Sequence, residues 1–292
     1  MTESIDPRTQ IRERGIMEER DHYKSVKSFF DNELDWWTDV YGDTLPRGFF
    51  SFEMRRRLEL VTEILTAEIQ RRDNPDVLEC GCGPGDILER LSSLRCNLTG
   101  LDLLPRYLEM ASKRVPKAKV IEGNVERLPF ADVSFDIVFA VGLFQYLDDD
   151  RKAASEIARV TREGGMVMVS VSNDRQLHCL IDPYYSVRFV KRMIGADRQT
   201  SDTRFAESKM HRYSLSRLRS LFGEHGLRET RSMTTSFGPL RFWRKEILPL
   251  PASTRISEFM RRWSDRKIGL PLKQVGNHHV VTLRKESTAV KG

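Results

Sequence analysis

Val77-Leu78-Glu79-Cys80-Gly81-Cys82-Gly83-Pro84-Gly85-Asp86 is the stretch on which the reading of the fold turns. A short, mostly apolar strand runs into glycine at every second position and then into a polar, helix-forming segment. Glycine lets the backbone turn sharply out of a strand and approach a ligand where any Cβ would collide. Further on, Leu101-Asp102 closes the next apolar run, where a carboxylate can accept hydrogen bonds from both hydroxyls of a ribose. A strand, a glycine turn, a helix and an acid at the end of the next strand describe one nucleoside-binding half of an α/β sheet.

A dinucleotide-binding dehydrogenase uses the same geometry. Its Gly-x-Gly-x-x-Gly fingerprint would need a third glycine at position 86, and the residue there is Asp86. A carboxylate in that turn repels a pyrophosphate. A ligand with a sulfonium and an ammonium group has the opposite demand, which Glu79 and Asp86 can help to meet.

Outward from this stretch, residues 76–80, 98–102, 119–122, 135–141 and 166–171 read as strands, with helices near 86–94, 105–114 and 149–162. Pro105 stands at the permitted first turn of its helix. The alternation predicts a Rossmann-like α/β fold, a seven-stranded and mostly parallel sheet with helices on both faces. Residues 227–234 and 278–284 supply the sixth and seventh strands, the latter as an alternating or antiparallel edge element. Upstream, Val26, Phe29, Phe30, Leu34 and Trp37 recur at helical spacing, as do Met54, Leu58, Val61, Ile64 and Leu65, so two helices precede the sheet. The chain divides into an N-terminal helical extension (1–72), a ligand-binding core (73–174), a cap insertion (175–211) and the remainder of the fold with a basic amphipathic segment (212–292). In the cap, Tyr184, Tyr185, Arg188, Phe189, Lys191 and Arg192 suit a lid over the C-terminal edge of the sheet.

The 292 residues suffice for one enlarged domain, and 39% hydrophobic against 31% charged residues is the balance of a folded globular chain. Charge is divided unevenly: residues 1–184 carry a net −8, whereas 185–292 hold 23 Lys and Arg against 9 Asp and Glu, a net +14. Within that basic third, Ile256, Phe259, Met260 and Trp263 fall at i, i+3, i+4 and i+7 among Arg261, Arg262, Arg266 and Lys267. This is a basic amphipathic helix that packs on the domain or makes peripheral contact with an anionic membrane. Nucleic acid is not the expected partner. No apolar run is long enough to span a bilayer, and residues 1–21 lack the apolar stretch of a signal peptide, so a cytoplasmic location is expected, peripheral at the membrane surface if that helix binds lipid. Cys80, Cys82, Cys96 and Cys179 read as reduced thiols, and no metal site is expected, because Cys80-x-Cys82 flanks a glycine in a tight loop with no second pair.

From Val77 to Asn173 the chain resembles the class I S-adenosylmethionine-dependent methyltransferases, in particular the small-molecule group that includes the quinone-biosynthesis C- and O-methyltransferases. Residues 77–85 look like the first motif of that family, and Leu101-Asp102 matches its ribose-binding acid. Glu122-Gly123-Asn124-Val125-Glu126-Arg127-Leu128-Pro129-Phe130 is similar to its third segment, Ser134-Phe135-Asp136-Ile137-Val138 leads into the fourth strand, and Arg162-Glu163-Gly164-Gly165 resembles the turn before the fifth. The resemblance implies S-adenosylmethionine as cofactor, held by Glu79, Gly81, Cys82, Gly83, Gly85, Asp102, Leu103, Asn124, Val125 and Val141. It departs at Asn124, where the third segment usually carries Asp against the adenine amino group. An amide oxygen still accepts that hydrogen bond.

Methyl transfer is an in-line displacement that needs donor and acceptor aligned and dry. A general base is optional. Residues 141–146 should border the methyl group, and they lack the Asn/Asp-Pro-Pro-aromatic signature seen in amino-group methyltransferases of nucleic acids. Tyr146 orients an acceptor or closes the pocket wall. His211 and Tyr213, with His178, are the base candidates, whereas His278 and His279 read as structural. Tyr23, Trp36, Trp37 and Tyr41 read as aromatic core ahead of a roof over the donor site. The expected acceptor is a small molecule, a glycan precursor or a lipid-linked molecule, methylated on oxygen. An RNA methyltransferase and a noncatalytic binding protein on the same fold are the open alternatives, and the oligomeric state is left open.

Overall fold

The computed structural model describes residues 22–33, 48–185, 187, 210–266 and 270–287. The lead over 1–21, the aromatic residues Trp36, Trp37 and Tyr41, and Arg188, Phe189, Lys191 and Arg192 of the expected cap lie outside the described residues. A helix over 22–32 (α1) is followed by α2 (Phe49–Ile69), on which Met54, Leu58, Val61 and Leu65 repeat along one face and are all buried. That spacing is the reason the segment is a helix lying on a core.

Strands and helices then alternate: β1 (Asp76–Cys80), α3 (Asp86–Leu91), β2 (Asn97–Asp102), α4 (Pro105–Arg114), β3 (Lys119–Glu122), β4 (Phe135–Val141), α5 (Asp150–Val160) and β5 (Thr161–Ser172). Beyond a short α6 (Leu177–Ile181) come α7 (Leu215–Gly223), β6 (Leu227–Thr234), β7 (Arg241–Phe242), β8 (Lys245–Glu246), α8 (Leu250–Ser264), α9 (Leu270–Lys273) and β9 (His278–Lys285). The sheet order is β3-β2-β1-β4-β5-β9-β6, with β1 to β5 parallel. The order reverses between β1 and β4, which opens a crevice at the carboxyl ends of those strands. The inner parallel strands are covered on both faces, whereas β3 at the edge is partly exposed. In β4, Ile137 and Phe139 enter a cluster with Leu58, Leu65 and Leu88 from α2 and α3, while Val138 and Ala140 enter another with Ile157, Leu218 and Phe222 from α5 and α7.

The last strand corrects one expectation. β9 is antiparallel, but it lies between β5 and β6, and β6 forms the edge. Its side chains account for this placement: Val280 joins one core cluster and Val281 and Leu283 the other, so the strand needs cover on both faces, which an interior position provides. The β7–β8 hairpin has no counterpart in the sequence reading. Its turn residues Trp243 and Arg244 both have positive φ, 50° and 65°, with no glycine or asparagine to announce the turn. The carboxylate of Asp182 stabilises it by accepting from the backbone N–H groups of Trp243 (2.8 Å) and Arg244 (2.9 Å). Among the described residues, no helix is long and apolar enough to cross a membrane.

The approach to β9 is tightly packed. A Cβ added to Gly276 would sit 1.7 Å from Oγ1 of Thr234, whose hydroxyl donates to the His278 carbonyl. Gly276→Ala is therefore expected to lower stability by about 1–3 kcal/mol. A urea unfolding midpoint equal to that of the wild type would contradict this account of the junction.

Candidate functional site

The loop after β1 folds over the end of β2, because the N–H groups of Gly81 and Cys82 both donate to the carbonyl of Leu101, at 2.7 and 3.0 Å. Gly85 has a φ of 87°, and a Cβ there would lie 3.1 Å from the Cβ of Ala111, so glycine is what lets α4 approach the start of α3. Gly83, at φ 51°, has nothing within 4 Å of its missing Cβ and faces open space. Its N–H donates to Oδ2 of Asp102 at 2.8 Å, while Oδ1 of Asp102 accepts from the N–H of Leu104 at 3.0 Å. Burial raises the Asp102 carboxyl above its ordinary value, and these backbone donors offset part of that rise.

A cavity of about 240 Å³ opens at this loop. Glu79, Gly81, Cys82, Gly83, Asp102, Leu103, Asn124, Val125 and Val141 all line it. Gly85 is the one member of the expected donor set outside the wall, and its role is to set the approach of α4. Glu79 is buried, and its Oε2 has no hydrogen-bond partner among the described residues. Its carboxyl is pushed well above the usual carboxylate range, first by burial and then by the charges of Asp86 and Asp102. Asp86 also lines the cavity, but its Oδ1 is 2.6 Å from Nη1 of Arg114, so much of its charge is neutralised within the protein. Asn124 is likewise partly committed, since its Oδ1 accepts from the N–H of Glu126 at 2.9 Å. One lone pair of that oxygen is left for a ligand.

The first helix covers this end of the cavity. Tyr23 donates to a carboxylate oxygen of Glu126 that also accepts from the N–H groups of Asp148 and Asp149. Tyr107 donates to the carbonyl of Phe30, and the Phe30 ring meets Tyr146 edge-on with centroids 4.9 Å apart. Tyr23 lines the cavity with Val26 and Phe30, so it is part of the roof rather than of the core packing expected for it.

The far end is built from α2, the turn after β4 and the ends of β5 and β9. Phe50, Met54 and Leu58 give it an apolar wall, and Tyr146 closes one side. Arg57 is buried there, with Nη1 3.2 Å from the position of a Cβ on Gly142. His278 also lines the cavity, and its Nδ1 lies 3.0 Å from Oε1 of buried Glu53, which accepts in addition from the hydroxyl of Ser236 at 2.6 Å. Burial raises the Glu53 carboxyl, but the charge and hydrogen bond of His278 outweigh it and leave the group below the usual range.

The base candidates from the sequence are not brought to this wall. Tyr213 is fully buried in the core, and its hydroxyl donates to the Phe144 carbonyl (3.0 Å) and to Asp150 (3.1 Å), which corrects its assignment as a catalytic group. His211 does not line the cavity, and its backbone N–H donates to the carbonyl of Gln145 at 2.9 Å. His178 is buried away from the cavity, with its pKa pushed down to about 4 by burial and by the nearby Arg241 charge. The residues that sequence reasoning missed are Glu53, Arg57 and His278. A faint signal exists for the first two, charged groups one helical turn apart beside the apolar stripe of α2.

Residues 78–169 match the family model described as a methyltransferase domain. Over 119 residues the chain is 34% identical to the malonyl-[acyl-carrier protein] O-methyltransferase of Erwinia billingiae, covering 41% of this chain and 47% of that protein. Over 159 residues it is 28% identical to an O-methyltransferase of Pyrenophora dematioidea, covering 50% and 59%. The chain thus spans about half the length of these curated relatives. The magnesium protoporphyrin IX methyltransferase of Synechocystis PCC 6803, with bound S-adenosylhomocysteine, superposes with a TM-score of 0.61 at 12% identity, over 91% of this chain and 100% of that one. The family match is thus confined to residues 78–169, and the superposition shows that the chain shares the fold of that methyltransferase.

The isolated Glu79 carboxyl gives a pH-dependent prediction. Because folding raises its pKa, the folded state holds that proton more tightly than the unfolded chain. The stability tied to this group is complete below the ordinary value of 4.5 and is lost as the pH climbs toward the elevated folded value. Glu79→Gln escapes that loss. Without ligand, the variant should be more stable than the wild type by about 1–3 kcal/mol near neutral pH, a gap that closes on acidification. Urea midpoints that run parallel across this range would refute it.

Proposed function

We propose that this protein transfers the methyl group of S-adenosylmethionine to an oxygen atom of an apolar small-molecule or lipid-linked acceptor. The reading is carried by the buried, unpartnered carboxylate of Glu79 in a wall of glycine and open backbone. A buried negative charge with no partner is costly, and a cationic ligand supplies what it lacks. When bound, S-adenosylmethionine provides a methyl group on a positively charged sulfur, already activated for in-line displacement. Glu79 offers the charge that attracts it. Asp102, already oriented by two backbone donors, presents its remaining lone pairs to ribose hydroxyls, and Asn124 keeps one lone pair for the adenine amino group.

At the far end, Phe50, Met54 and Leu58 exclude water and favour an apolar acceptor over a sugar. In its neutral form, with Nδ1–H donating to Glu53, His278 takes the acceptor's hydroxyl proton at Nε2, and Glu53 acts as a positioning residue that fixes the ring. Tyr146 limits the width of this end. Oxygen as the acceptor atom is supported by the O-methyltransferases among the relatives. The RNA alternative is disfavoured, because among the described residues the basic C-terminal third contributes Met210 and His278 to the wall and no Lys or Arg.

Calorimetry with S-adenosylmethionine tests the donor half. Asp102→Ala should weaken binding by about tenfold to a hundredfold, and equal affinity for both proteins would defeat the assignment of Asp102. The acceptor half is tested with the substrate recovered from a labelled-methyl screen of lipid and metabolite extracts. His278→Asn should lower kcat by about 10²- to 10⁴-fold while the affinity for S-adenosylmethionine stays unchanged; an unaltered kcat would remove His278 from the reaction.

A further inference from the structure

The helix α8 is turned inside out. Its buried positions are Ser253, Ser257 and Ser264, whereas Ile256, Phe259 and Trp263 face outward, Phe259 at 68% and Trp263 at 45% exposure. An amphipathic helix that packs on a domain normally buries its apolar stripe. This one is docked by polar contacts instead: the Ser257 hydroxyl accepts from the N–H of Phe237 at 3.0 Å, and Glu258 pairs with Arg56 of α2 at 3.0 Å. Phe242 and Trp243 of the hairpin that precedes α8 in the chain, and Ile247 just after that hairpin, are solvent-facing as well. Arg255 and Arg262, also exposed, fall at helical spacing along one flank of the Ile256, Phe259 and Trp263 stripe, and exposed Arg266 follows just past the end of the helix.

We propose that the outer face of α8, with the β7–β8 turn that leads into it, docks on an anionic lipid bilayer. The chemistry separates this occupant from others. Aromatic and aliphatic side chains ringed by arginine match the boundary between acyl chains and anionic headgroups. Ile256 and Ile247 would contribute nothing to a nucleic-acid backbone. A second copy of the chain meeting this face across a twofold axis would set the arginine flank against itself or against uncharged surface, at an electrostatic cost. The net charge of +14 over residues 185–292 adds a long-range attraction of the chain to an anionic bilayer. The inference stands apart from the methyl-transfer reading, since neither the stripe nor its arginines line the cavity.

The test is cosedimentation of the full chain with vesicles of phosphatidylcholine alone and of phosphatidylcholine mixed with phosphatidylglycerol. The wild type should partition onto the mixed vesicles and release as salt is raised. The double variant Phe259→Ser, Trp263→Ser should bind at least about tenfold more weakly, and Arg262→Glu with Arg266→Glu should lose the preference for the anionic lipid. All four positions are exposed, and unchanged circular dichroism and melting curves identify variants that have kept the fold. A wild type that stays in the supernatant, or partition that the aromatic variant leaves intact, overturns the proposal. So does binding of a single-stranded RNA oligonucleotide in place of vesicles, or a dimer seen by ultracentrifugation that the aromatic variant dissolves while vesicles are ignored.

Discussion

A carboxylate buried without a partner is the constraint around which this molecule is arranged. Glu79 sits near the end of β1, where strand register sets it against Gly100 on one side and Phe139 on the other. Neither neighbour offers a polar atom from its side chain, and the absence of a Cβ at Gly100 is itself required, since one would lie 2.9 Å from Sγ of Cys82. Keeping that carboxyl ionised without a ligand costs the fold about 1–3 kcal/mol, and its raised pKa lets it hold a proton instead. The doubly wound sheet tolerates it because its two apolar clusters hold β1 rigid on both faces. A looser strand would let the side chain escape to water or recruit a local donor, and the cavity would lose the feature that selects a cation.

The same sheet gives the cavity two chemically distinct ends. At the crossover between β1 and β4, backbone donors and carboxylates gather at the glycine turn. Across the cavity, the apolar side of α2 meets the carboxyl end of β5 and the amino end of the antiparallel β9, where Ser172 and His278 are paired in register. The interior position of β9 is what brings His278 to this wall, because an edge strand would have been separated from β5 by another. The Glu53 pair spans α2 and β9, so the helix that precedes the sheet and the strand that ends it are joined at the acceptor end.

Much of the cavity end at the glycine turn was legible in the sequence because it is local. The glycine turn, Glu79 and Asp102 belong to two consecutive strands and the loop between them, and their spacing carries the chemistry. Asn124 was found too, although the commitment of its oxygen to Glu126 depends on a turn that no composition announces. The cavity end lined by α2 and β9 is nonlocal. Glu53 and His278 are 225 positions apart, and His278 stands in a strand whose apolar alternation makes a histidine look structural. Tyr213 failed for the opposite reason. A tyrosine just after the expected cap resembles a site residue, but the core reaches that far, and its hydroxyl is consumed by Phe144 and Asp150. The hairpin was hidden because its turn is stabilised by Asp182, from a distant helix, instead of by glycine.

The inverted helix bears on the acceptor as well. The α2 helix lines the cavity with Phe50, Met54 and Leu58 and carries α8 through Arg56, so the outward-facing stripe of α8 is only one helix removed from the cavity wall. An apolar acceptor is scarce in water and concentrated in a bilayer, and a soluble enzyme acting on it must either wait for rare monomers or work at the membrane surface. On the reading proposed above, the apolar side chains of that wall, set beside Arg57 and His278, and the exposed stripe of α8 answer the same partition problem. The charge distribution separates the tasks: the arginines stand beside the outer stripe, where headgroups would be, while the unpaired acid stands at the opposite end of the cavity, where a cation is wanted. The net charge reverses along the chain in the same sense, from −8 over residues 1–184 to +14 over 185–292.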